Sequence, residues 1–100
     1  MDGFSDVVIN SSANIGNYNI INTGSIIEHD CVLNNNVHIA PNSTICGGVT
    51  IDSDVFIGAN TVVKNSTHKK KISIGRGSII RCGSIILKNV DENCIVYGIH

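Results

Sequence analysis

Tryptophan is absent from this 100-residue chain, aromatic residues number 4, and Pro41 is its one proline. A core without bulky rings has to be filled by branched aliphatic side chains. Ile, with Val and a little Leu, dominates the sequence, and such side chains suit stacked, pleated backbone. With so little proline and with ten glycines scattered, no linker divides the chain, and one small domain over residues 1–100 is expected. Charge is sparse as well: a net charge of −1 argues against an electrostatic nucleic-acid binder. No apolar run reaches the length of a membrane span, so no membrane insertion is expected. The start, Met1-Asp2-Gly3-Phe4-Ser5-Asp6, lacks the basic and apolar regions of a secretory signal. Cys31, Cys46, Cys82 and Cys94 form no C-x-x-C pair, which argues against a zinc cluster or a redox motif. They read as free, small core residues in a reducing cytoplasm.

What the chain does have is a period. Steps of six from Ile9 give Ile15, Ile21, Ile27, Leu33, Ile39, Ile45, Ile51, Ile57 and Val63, all aliphatic, and the step resumes at Ile74, Ile80 and Ile86. In a chain of this composition the first run is an accident of roughly a few in 10⁵. A second series lies four residues after each: Ala13, Asn19, Ser25, Cys31, Val37, Ser43, Val49, Val55 and Thr61, then Ser78, Ser84 and Val90. Apart from Asn19 these are small or β-branched. The residue just after each aliphatic position is often polar or Gly (Asn10, Gly16, Asn22, Glu28, Asn34, Asp52, Gly58, Gly75), and we expect it to take the unusual backbone angles of tight corners.

A period of six fits neither a helix nor an alternating hairpin sheet. It fits short strands joined by corners, three to a triangular coil, the coils stacked by parallel ladder bonds about 4.8 Å apart. The expected fold is all-β, a left-handed parallel β-helix of hexapeptide repeats with about five triangular coils. Ile9, Ile27, Ile45 and Val63 should stack in one column, Ile15, Leu33 and Ile51 in a second, Ile21, Ile39 and Ile57 in a third. One loop excursion is expected near residues 64–73, because three lysines, Lys69, Lys70 and Lys71, cannot occupy a core unpaired.

The repeated pattern of Ile/Leu/Val, Gly/Asn and a small residue resembles the hexapeptide-repeat acyltransferases over Ile9 to Gly98. The segment Ile20-Ile21-Asn22-Thr23-Gly24-Ser25-Ile26-Ile27-Glu28-His29-Asp30-Cys31, with Val37-His38-Ile39-Ala40-Pro41 and Gly47-Gly48-Val49, is similar to the bacterial sialic acid O-acetyltransferases and the bacillosamine-pathway sugar N-acetyltransferases. The resemblance implies an enzyme with acetyl-CoA as acyl donor and no metal. It also implies a homotrimer that holds the donor in grooves between subunits, and a small acceptor such as a sugar or sugar nucleotide. The chain departs from that family in two places. It begins almost at the first coil, where relatives carry an N-terminal nucleotide-sugar subdomain, and it closes on Gly98-Ile99-His100 in place of Gly-x-Pro-Ala.

Acyl transfer from a thioester needs a base for the acceptor's proton, an N–H for the developing oxyanion, and a groove for the pantetheine arm. His29 is the candidate base, two places after Ile27 and flanked by Glu28 and Asp30. Imidazole suits proton abstraction near neutral pH, and a neighbouring carboxylate orients such a ring. The resemblance gives Asp30 that role. Gly47 follows His29 by one full coil of three hexads and should lie beside it; the resemblance puts its amide on the thioester carbonyl, although Gly47-Gly48 also reads as a plain corner. By resemblance His38 helps place acetyl-CoA and Asn22 contacts the acceptor, and both also read as corner or surface residues. Lys69, Lys70 and Lys71 are candidates for the CoA phosphates, or a solvated loop.

Two other functions stay open on sequence. A γ-type carbonic anhydrase shares the expected fold and uses three histidines on zinc, but His29, His38, His68 and His100 lack its His-x₄-His spacing. A non-catalytic trimeric β-helix module, or a truncated fragment, would account for the missing subdomain.

Overall fold

Two-residue strands succeed one another every six residues and turn through three faces before the chain returns one level higher. The structure, a computed structural model, describes residues 6–100 and the backbone of Asp2–Gly3. Face A stacks Asp2–Gly3, Ile20–Ile21, His38–Ile39, Phe56–Ile57, Ile79–Ile80 and Ile95–Val96, in that order. Face B stacks Val8–Ile9, Ile26–Ile27, Thr44–Ile45, Val62–Val63 and Ile85–Ile86; face C stacks Asn14–Ile15, Val32–Leu33, Thr50–Ile51 and Ser73–Ile74. Every pairing is parallel. The molecule is a left-handed parallel β-helix of about five coils, as expected.

From Val8–Ile9 on, the second residue of each strand points inward, and the columns have the expected register: Ile9 pairs with Ile27, Ile27 with Ile45, and Ile45 with Val63. Ile27, Ile45 and Val63 are fully buried, each contributing about 1.5–3 kcal/mol through burial. The four-later series fills the corners from inside. Where it is polar it is hydrogen-bonded. Ser25 Oγ donates to Ala40 O (2.9 Å) and accepts from Ser43 N (3.2 Å), while Ser43 Oγ donates to Gly58 O (2.9 Å) and accepts from Thr61 N (3.3 Å). Asn19, the outlier of the series, is buried with both ends engaged: its Nδ2 donates to Asn34 O (2.8 Å) and its Oδ1 accepts from Val37 N (2.7 Å).

The corners correct one expectation. Left-handed backbone falls three residues after the aliphatic position, not one: Ser12, Tyr18, Gly24, Asp30, Asn36, Asn42, Gly48, Asp54, Asn60, Gly77 and Gly83 all have positive φ. The glycine just after the aliphatic residue has another cause. A Cβ on Gly16 would stand 2.4 Å from the backbone oxygen of Asn34 in the next coil.

The excursion is narrower than 64–73. Val32 pairs with Thr50 across one regular coil, and Thr50 pairs with Ser73 across a coil longer by five. Six-residue steps then resume to Ile85–Ile86, and the last coil is shorter, with Ile79 pairing Ile95. Residues 67–71 are exposed, whereas Ile72 is buried and rejoins the ladder by accepting from Thr50 N (3.1 Å).

From Val8–Ile9 on, the first residue of each strand points outward, and the three faces differ. Face A shows Ile20, His38, Phe56, Ile79 and Ile95, and face B shows Val8, Ile26, Thr44, Val62 and Ile85. Face C shows Asn14, Val32, Thr50 and Ser73. Exposed apolar side chains thus gather on faces A and B.

Candidate functional site

The corner between faces B and C carries the residues with chemical potential. There Ile27, Ile45 and Val63 stack, so the residues two positions later, His29, Gly47 and Asn65, lie one above another, as do Asp30, Gly48 and Ser66. The ladder agrees with this stacking: Gly48 N donates to His29 O (2.9 Å), and Ser66 N donates to Gly47 O (2.8 Å).

His29 and Asp30 are exposed, and His29 Nδ1 lies 3.2 Å from Asp30 Oδ2. With Nδ1 donating to the carboxylate, Nε2 is left as an acceptor. Asp30 reaches this position because it takes the left-handed corner angle (φ 60°), a conformation that short polar side chains tolerate. Glu28 does not share the task; it accepts from Asn10 Nδ2 in the coil below.

The two adjacent glycines are needed for different reasons. Gly48 makes the corner (φ 74°). Gly47 does not, but a Cβ on it would stand 2.7 Å from both Cε1 and Nε2 of His29, so the imidazole occupies the space a side chain would need. Among the described residues no hydrogen-bond acceptor engages the Gly47 N–H. The thiol between Ile45 and Gly47, Cys46, is pushed up by burial and by the Glu28 carboxylate; burial also raises Cys31.

Lys69, Lys70 and Lys71 are on the same corner, because the excursion leaves the wall directly above Gly47–Gly48. Its tip is closed by Thr67 N donating to Lys70 O (2.8 Å) and Lys70 N to Thr67 O (3.2 Å). Counting one regular coil on from Gly47 reaches Asn65 and reveals this placement.

Asn22 and His38 meet elsewhere, on the outside of face A, where Asn22 follows the strand one coil below His38. Asn22 Nδ2 donates to His38 Nε2 (3.0 Å) and to Ile39 O (3.2 Å). Phe56, one coil higher, has its ring centroid 5.0 Å from that of His38. Sequence reasoning passes over Phe56, although it follows His38 by one full coil. Within one chain the His29 group at the B–C corner and the His38 group on face A stand apart.

The model of the bacterial transferase hexapeptide family, "six repeats", matches residues 12–47 and 30–65. This chain belongs to that family. Of proteins in the hexapeptide family, GDP-perosamine N-acetyltransferase of Escherichia coli O157:H7 is 32% identical over 71 residues, which is 71% of this chain and 32% of that protein. WeeI from Acinetobacter baumannii AYE superposes with a TM-score of 0.91 at 31% identity, over 94% of this chain and 44% of its own. PerB from Caulobacter crescentus, in complex with CoA and GDP-perosamine, gives 0.80 at 23% identity, over 93% of this chain and 51% of its own. The chain therefore spans between about a third and a half of these relatives. Among the described residues of this hexapeptide chain, no three His, Cys, Asp or Glu side chains converge on one point, and no helix is long and apolar enough to cross a membrane.

Proposed function

We propose that this chain is the β-helical part of an acetyl-CoA-dependent acyltransferase that acetylates a hydroxyl or amine of a sugar or sugar nucleotide. The observation that carries the reading is the His29–Gly47 contact: an oriented imidazole packed against a glycine whose amide has no acceptor. His29 Nε2 takes the proton of the attacking hydroxyl or amine as the new C–O or C–N bond forms. Asp30 holds the ring through its contact with Nδ1. The Gly47 N–H meets the oxyanion. His29 then returns its proton to the thiolate released when the C–S bond breaks, so no covalent enzyme intermediate is needed. Lys69, Lys70 and Lys71, about one coil above Gly47, face the phosphates of CoA.

The faces suggest how the site is completed. In a homotrimer with the A–B corner at the three-fold axis, the apolar face A of one subunit faces the apolar face B of its neighbour. A triangular corner fills only part of the third of a turn it commands, so the two faces diverge into a groove. His29, Gly47 and the lysines line the outer part of one side, and face A of the partner subunit, which carries Asn22 and His38, lines the other. There Asn22 would meet the acceptor and His38 the acetyl-CoA. The GDP-perosamine and CoA held by PerB support the classes of acceptor and donor. Four free thiols fit the reducing cytoplasm.

The test is thiol release from acetyl-CoA with a panel of amino sugars and nucleotide sugars, read beside light scattering. The wild-type chain should be a trimer, and His29→Ala should lower kcat by roughly 10²–10⁴-fold with the trimer intact. A His29→Ala trimer as fast as wild type ends the mechanism, and a monomer at micromolar concentration ends the shared groove.

A further inference from the structure

Ser66 lies where the regular corner ends and the excursion begins. It is the third residue after Val63, the position that turns left-handed at every corner from Ser12 to Asn60, yet it has no positive φ. The chain therefore leaves the wall here. The departure is held by three hydrogen bonds, all on Ser66. Its N–H donates to Gly47 O (2.8 Å). Its hydroxyl donates to Gly48 O (2.8 Å) and accepts from Ile72 N (2.8 Å), at the far end of the excursion. Gly48 in turn donates its N–H to His29 O (2.9 Å). One half-buried hydroxyl thus ties the far root of the lysine loop to the Gly48 carbonyl, while the Ser66 N–H holds the near root to the Gly47–Gly48 peptide, which itself donates to the backbone of His29. Among the described residues the other side chain that bridges the excursion is Thr67, nearer the tip, whose Oγ1 accepts from Lys70 N (3.0 Å); Ser66 is the one that reaches the wall.

Resting on the function proposed above, we infer that Ser66 is a positioning residue for the acyl donor. It fixes the lysine tip at a set height above the Gly47 amide, so that the phosphate-bearing end and the thioester end of one ligand are read together. The selectivity this implies is for donors carrying a nucleotide diphosphate, over short thioesters that present no phosphates. A hydroxyl is the group required, because a single atom has to donate to one carbonyl and accept from one amide. Without it, Gly48 O and Ile72 N both turn to water and the root of the loop loosens, while the coils above and below keep their ladder bonds.

The experiment measures binding of CoA and of pantetheine by calorimetry to the wild-type chain, Ser66→Ala and Ser66→Thr, with amide exchange at Ile72 as a readout independent of activity. Ser66→Ala should weaken CoA about tenfold, the scale of one lost hydrogen bond, weaken pantetheine less than twofold, and speed Ile72 exchange. Ser66→Thr, which keeps the hydroxyl, should restore all three. Should Ser66→Ala not fold, Ser66→Cys, of similar volume with a weak donor, carries the same comparison. Equal weakening of both ligands, or no weakening despite faster Ile72 exchange, overturns the positioning role and leaves the proposed function standing. A wild-type chain that binds neither ligand overturns the proposed function itself, and this inference with it.

Discussion

The imidazole of His29 stands in the place where a side chain at Gly47 would have to go. Gly47→Ala should therefore push the ring off the corner without disturbing the backbone, since Gly47 has no positive φ. The expected result is a fall in kcat of about 10²-fold, the lower range for losing a general base, with a melting temperature close to wild type. Steady-state kinetics and a thermal melt on the same sample check both, and an active Gly47→Ala chain would show that the contact is packing alone.

Ile45 lies between Ile27 and Val63 in a column that water does not reach. Ile45→Asp would bury a carboxylate with no partner and should prevent folding, whereas Ile45→Ala should cost about 2–5 kcal/mol. Asn35→Asp should do little, because Asn35 is exposed and its Oδ1 already accepts from Asn17 N (2.8 Å), which a carboxylate does equally well. Circular dichroism with a denaturant titration ranks the three.

Neutralising Lys69, Lys70 and Lys71 together should raise KM for acetyl-CoA about five- to tenfold, three exposed charge contacts at a few tenths of a kcal/mol each. The change for an acetyl-pantetheine donor should be near zero. Equal shifts for both donors would make the loop solvated surface.

The four thiols should alkylate in a fixed order. Cys82 is exposed, whereas Cys31 is buried with its thiol pushed up by that burial. A raised thiol holds less reactive thiolate at neutral pH, so Cys82 should be labelled first and Cys31 last. Timed mass spectrometry after iodoacetamide reads the order, and early labelling of Cys31 would mean that the coil opens readily.

The columns are legible in the sequence because each inward position meets the same kind of neighbours in every coil, so a single chemical demand recurs at a fixed step. The corners are harder to read because two demands produce the same residue. Gly16 is small to clear the oxygen of Asn34, Gly48 to adopt a left-handed angle, and letters alone do not separate close approach from backbone conformation. The His29–Asp30 contact is legible as neighbours in sequence. Ser66 is not, because its partners are set by where the excursion leaves and re-enters the wall, and on letters alone the buried Ile72 reads as part of the loop.

The long coil that carries the lysines rises no further along the axis than a regular one, since Thr50 still meets Ser73 and Ile51 still meets Ile74. Height in this molecule is measured in turns and not in residues. A corner can therefore acquire, lose or rewrite a ligand-reading appendage while every column above and below keeps its neighbours, and changes in what is recognised need not pass through intermediates that fail to fold.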